Sequence, residues 1–179
     1  MQIIKITNQR QLLRTDNCRY FPRKSNIFLL LASFLIFFSC LSSLSAEPVK
    51  PGNRDQCPVC GMFVAPYPNW VAQIEFNDGS REFFDGAKDM FRYYLKLQDK
   101  GPVHSKENIA AIYVTEYYST KVLPVEQVFF VTSSDILGPM GNELVPVHSK
   151  ESAETFKQEH KGKVLFTFEQ VTSDILSGL

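Results

Sequence analysis

The chain reads as an α+β domain made of duplicated ββαβ units, with a mainly antiparallel sheet and two helices covering one face. Three observations predict it. Short runs dominated by Val, Ile, Phe and Tyr have strand character. One segment carries apolar residues at helical spacing, and a second is bounded by helix-capping signals. The order strand–strand–helix–strand occurs twice, with Phe84-Asp85-Gly86-Ala87-Lys88 and Val147-His148-Ser149-Lys150 at corresponding junctions.

Ahead of these units, Arg23 and Lys24 close a basic region and Ile27 to Phe38 form a nearly unbroken apolar run. The run falls short of the roughly 20 residues a membrane span needs, and its flanks are those of an export signal. Residues 1–46 are therefore expected to be a signal peptide, although the stretch before Arg23, with Cys18, is long for a bacterial leader. Two cleavage points compete. Phe37-Phe38-Ser39-Cys40 resembles a lipoprotein box and would make Cys40 the acylated residue, whereas Leu44-Ser45-Ala46 before Glu47 fits ordinary signal peptidase. Residues 47–56, with two prolines and a glycine among charges, read as a linker. Residues 57–179 are the globular domain.

Within that domain, Trp70 to Phe76 alternates apolar and polar positions, and Asn77-Asp78-Gly79 is a strong hairpin signal. Arg81 to Phe84 returns as a second strand. Asp85-Gly86 ends it and caps a helix expected over Ala87 to Leu97, whose Met90, Phe91, Tyr94, Leu95 and Leu97 recur at helical spacing. A Gly-Pro turn then leads to a strand from Ile109 to Tyr117. The second half follows the same order. Gln127 to Thr132 is a strand, 133–142 a loop carrying Gly138-Pro139-Met140-Gly141, and Glu143 to His148 another strand. Ser149 is positioned to cap a helix from Lys150 to His160, Gly162 ends it, and Val164 to Val171 alternates as a final strand.

Formal net charge is zero, with 19 basic and 19 acidic side chains and no basic stripe, so nucleic acid is excluded as a partner. Past the signal, Cys57 and Cys60 stand three apart and close only a tiny loop, which excludes a disulfide framework. These thiols serve local chemistry. In Cys57-Pro58-Val59-Cys60-Gly61-Met62 they stand beside a thioether, and this pairing suits Cu(I). Thiolates alone suit zinc or an iron–sulfur cluster. A redox dithiol of the thioredoxin type needs a helix opening at the motif; Gly61, Pro66 and Pro68 leave no room for one. A structural zinc site needs a second ligand pair, and His104, His148 and His160 do not supply one at suitable spacing. Met140, held between Pro139 and Gly141, reads either as a further soft ligand or as a loop residue folded over apolar surface. Met90 reads as core and Asp85 as a helix cap.

Cys57-Pro58-Val59-Cys60-Gly61-Met62-Phe63, Phe83-Phe84-Asp85-Gly86, Gly138-Pro139-Met140-Gly141-Asn142-Glu143-Leu144 and Val164-Leu165-Phe166-Thr167-Phe168 together resemble NosL, the accessory proteins of nitrous oxide reductase. The resemblance runs from Cys57 to Val171. It implies a periplasmic lipoprotein, not an enzyme, that binds one Cu(I) and supplies copper to nitrous oxide reductase or another copper enzyme. A membrane transporter of the same maturation system would work alongside it. It also implies a duplicated ββαβ fold, and a site in which Cys60 is the leading thiolate, Met62 and Met140 are the thioethers, and Cys57 is a further candidate. Cys40, if acylated, would anchor the chain to the membrane. Two other readings of the residues stay open: a thiol-based enzyme of the disulfide-exchange or organomercurial-lyase kind, and a lipid-anchored interaction module with a structural metal knuckle.

Overall fold

β1 (Ala72–Phe76) is central to the first sheet of the computed structural model, which describes residues 47–97 and 104–179. The export signal, Cys18, Cys40 and the Gly101-Pro102 turn lie outside the described residues. β1 pairs antiparallel with β2 (Arg81–Phe84) on one side and β3 (Ile109–Thr115) on the other, and β4 (Val122–Pro124) extends the sheet beyond β3. The β1–β2 register runs from Ala72 opposite Phe84 to Glu75 opposite Arg81. Gly79, at φ 82°, closes the turn with its N–H on Phe76 O, and the Asp78 carboxylate accepts from Ser80 N–H and Oγ–H.

The alternation over 70–76 does not mark a boundary between buried and exposed faces in β1. All five β1 residues are buried. The polar positions are covered: Glu75 pairs with Arg81 at 2.8 Å, and Gln73 Oε1 accepts from Val49 N–H at 3.1 Å. The stretch that reads as a linker is thus tied to β1 by the Val49 N–H.

The second sheet has the order β8-β5-β9, with β5 (Val128–Thr132) central, β8 (Val145–His148) and β9 (Val164–Phe166) flanking. In each unit the first strand is the middle one, the second lies to one side and the post-helix strand to the other. The duplication expected from the element order is therefore a duplication of sheet topology. Each unit carries one helix, α1 (Ala87–Leu95) in the first and α2 (Lys150–Glu159) in the second. Met90 and Phe91 of α1 are fully buried in the main core with Phe84, Phe130 and Leu144. Ala153 and Phe156 of α2 join Val131, Val145 and Val147 in a second cluster. Ser149 caps α2 as expected, its Oγ accepting from Ser152 N–H at 3.2 Å.

Three segments differ from expectation. β3 stops at Thr115 because buried Glu116 turns the chain: its carboxylate accepts from Tyr118 N–H, Ser119 N–H and Oγ–H, and His148 N–H. Burial works against ionising Glu116, yet these hydrogen bonds outweigh it and hold the carboxyl below the usual range. The last strand ends at Phe166; residues 168–170 form a 3₁₀ turn under a Thr167–Gln170 capping box, and α3 (Ser173–Ser177) follows. The expected loop 133–142 contains a small hairpin, β6 (Leu137–Gly138) with β7 (Gly141–Asn142). It occupies the place that the tight turn 77–80 fills in the first unit. Among the described residues no helix is long and apolar enough to cross a membrane.

Candidate metal centre

The sulfur motif folds as a knuckle. Gln56 bridges Phe63, Cys57 N–H donates to Met62 O at 2.8 Å, and Gly61 N–H donates to Cys57 O at 2.9 Å. Gly61 makes this possible with φ 78°, a conformation open to glycine at little cost. No helix follows, so neither thiol faces the N-terminus of a helix begun by its own motif. Cys57 is 1% exposed, Cys60 and Met62 are half-buried, and both cysteines are free thiols.

The start of α1 meets this knuckle. Its N-cap is Gly86, with no side-chain cap bond, so the reading of Asp85 as a helix cap is corrected. Asp85 Oδ1 instead accepts from Cys60 Sγ at 3.3 Å. One turn along, Asp89 Oδ2 accepts from Cys57 Sγ at 3.6 Å, while Arg92 Nη1 donates to Asp89 Oδ1 at 3.0 Å. One ligand atom from each of Cys57, Cys60, Asp85 and Asp89 lies within 4.8 Å of the others. The two aspartates are the site residues that sequence reasoning missed. Their i,i+4 spacing beside a strand–helix junction was the available signal, because it places both on one side of a helix start.

The electrostatics follow from this packing. Burial pushes the Cys57 thiol well up, and it raises Cys60 too, with the Asp85 carboxylate adding to the rise. Without a cation, the protonated thiols and their carboxylate acceptors form a self-consistent arrangement. A cation among the four groups would favour the thiolates and balance the aspartates. The arrangement can thus exchange thiol protons for a metal ion.

Met140 stands at the tip of the β6–β7 hairpin and is 46% exposed. Its carbonyl accepts from Lys88 Nζ at 3.1 Å, and the Asn142 carbonyl accepts from the same ammonium. Lys88 is the neighbour of Asp89, so the hairpin backbone is tied to the helix end that carries the carboxylates. Met62 shares the knuckle with both thiols. Met90 is fully buried core, as expected. None of the three histidines belongs to the cluster. His148 donates its N–H to Glu116, His160 faces Asp135 at 3.2 Å, and His104 stacks on Phe76.

Beneath this junction lies Glu143, at the mouth of β8. Its Oε1 accepts from Lys88 N–H at 2.5 Å and Leu144 N–H at 2.9 Å. Burial pushes its carboxyl up to about 7, against the pull of those two N–H groups and the Lys88 ammonium, and with a further push from Asp89.

Comparison with known proteins gives concordant matches. The family model NosL matches residues 48–176. The copper-binding lipoprotein NosL of Stutzerimonas stutzeri is 24% identical over 140 residues, covering 74% of this chain and 70% of that protein. The crystal structure of the copper chaperone NosL from Shewanella denitrificans superposes with a TM-score of 0.60 at 19% identity, over 73% of this chain and 98% of that one. That last likeness concerns the fold.

Proposed function

The chain belongs to the NosL family, and from that premise we propose that it is a copper-binding accessory protein that takes up Cu(I) and passes it on. The observation that carries the reading is the meeting of Cys57, Cys60, Asp85 and Asp89 within 4.8 Å. Two thiolates form a low-coordinate site suited to Cu(I), and a thioether from Met62 or Met140 adds a third soft donor. Carboxylates are hard donors and poor Cu(I) ligands. Asp85 and Asp89 serve instead as acceptors for the thiol protons. Each thiol already donates to one of them, so uptake of Cu(I) by two thiols forms an anionic bis-thiolate and sends two protons out through the carboxylates.

Cys60 is half-buried while Cys57 is closed off, so an incoming ligand reaches the metal from the Cys60 side. That asymmetry suits transfer better than storage. The matched relatives are named a copper-binding lipoprotein and a copper chaperone, which supports copper as the cargo. The recipient under this reading is nitrous oxide reductase or another copper enzyme, served in the periplasm alongside a membrane transporter, with Cys40 as the lipid anchor.

Anaerobic Cu(I) titration against a competing chelator tests the proposal. One Cu(I) is expected per chain, abolished by Cys60→Ser and weakened by Met62→Leu or Met140→Leu. Tight stoichiometric Cu(I) binding by the Cys60→Ser protein would overturn the assignment. So would zinc displacing Cu(I) from the wild-type site.

A further inference from the structure

Nothing in a copper site made of Cys60, Met62 and Met140 explains why a lysine and a glutamate should be buried together at the base of the methionine hairpin. Both are 3% exposed. Burying charged groups is costly unless their hydrogen-bonding capacity is met, so residues kept in such a place are bound by a defined structure. Here the structure is a clasp. The Lys88 ammonium donates to Met140 O and Asn142 O, gripping the hairpin on both sides of Gly141. The Glu143 carboxylate, which follows that hairpin directly, reaches back to Lys88 N–H in the first turn of α1. Each residue therefore bonds the other's segment, and the two segments are joined twice.

The fit around the carboxylate is close. A Cβ at Gly86 would stand 3.0 Å from Glu143 Cδ, and one at Gly138 would stand 3.0 Å from Glu143 Oε2. Both glycines leave room for this one side chain, one from the helix start and one from the hairpin. The β6–β7 ladder is only two residues long on each strand and pairs with no other strand among the described residues. A two-residue hairpin is not stable by itself. Its position relative to α1 must come from outside, and the clasp supplies that.

We propose that Lys88 and Glu143 are positioning residues for the copper site: they hold the methionine hairpin on the helix start bearing Asp85 and Asp89, and so place the Met140 thioether for the metal. The inference rests on Met140 being a copper ligand. Residues that orient metal ligands typically change affinity about tenfold to a hundredfold when removed, and the Lys88 effect should be exerted through Met140 alone.

A double-mutant cycle on the folded domain tests this, read as Cu(I) affinity by chelator competition. Lys88→Met and Met140→Leu are each expected to weaken binding by about tenfold or more, and the double variant to be no weaker than Met140→Leu. An unchanged affinity in Lys88→Met, or an equal further loss in the Met140→Leu background, would overturn the positioning role. Full affinity in Met140→Leu would instead sink the underlying ligand assignment. If Lys88→Met fails to fold, Lys88→Met with Glu143→Gln removes both charges and replaces it in the cycle. Wild-type protein gives an independent reading: amide hydrogen exchange across 137–142 should be slow for a clasped hairpin, and exchange at unprotected rates would overturn the clasp.

Discussion

Replacing Glu143 by Gln should flatten the pH dependence of folding stability in one defined window. In the folded chain its carboxyl titrates at about 7, against an ordinary 4.5. Below 4.5 both folded and unfolded chains hold the proton. Between 4.5 and about 7 the folded chain keeps a proton that the unfolded chain has released, so stability falls as pH rises. Above that window the loss is complete. The difference between the two values corresponds to about 3 kcal/mol at 1.36 kcal/mol per pKa unit. Gln keeps an acceptor for the Lys88 and Leu144 N–H groups and removes the titration. The assay is urea denaturation of both proteins from pH 4 to 8, and the quantity is the difference between the two stability curves. Wild type should lose about 3 kcal/mol more than the variant across the window. Parallel curves would refute the reasoning, since they would mean that the buried carboxyl ionises as freely in the fold as in the open chain.

Three further outcomes are expected. Gly86→Ala should destabilise by about 3 kcal/mol, the upper end for overpacking, because Gly86 has extended backbone that any residue adopts and the whole cost lies in the contact with Glu143; denaturant titration decides, and an unchanged midpoint would show that the carboxylate moves aside. Glu116→Gln should cost about 2 kcal/mol at neutral pH through weakened charge-assisted hydrogen bonds; wild type loses that margin as pH falls through the depressed Glu116 value, so the two proteins should converge in acid. In a Cys57→Ser background, Asp85→Asn should move the pH profile of Cys60 alkylation downward, since Asp85 adds to the rise of that thiol; an unmoved profile would remove Asp85 from the thiol's environment.

Elements governed by local chemistry were legible from sequence. The Asn77-Asp78-Gly79 turn, the Ser149 cap and the apolar stripe of α1 each follow from spacing within a few residues, and each appears in the structure. The duplicated order was legible for the same reason. What escaped depends on contacts far apart in the chain. Asp85 has the look of a cap because aspartate before a helix usually is one, and only the knuckle, 25 residues earlier, diverts it. Glu143 reads as an ordinary polar residue at a strand start, and its burial depends on α1 lying across it. Trp70 to Phe76 reads as an alternating strand, and nothing in that segment announces that Val49 and Arg81 bond its polar residues. The final strand was overextended because Phe168 and Val171 preserve the alternation while Thr167 and Gln170 close a capping box.

The clasp between Lys88 and Glu143 joins residues 55 apart, one from each repeat. A chain released progressively, during synthesis or passage across a membrane, holds the knuckle and α1 well before the methionine hairpin emerges. During that interval Lys88 has none of the hydrogen-bond partners that Met140, Asn142 and Glu143 give it. Arrival of the second repeat's hairpin is then the step that satisfies this buried lysine. A chain truncated before β6 would lack Met140, Asn142 and Glu143, and with them every bond of the clasp.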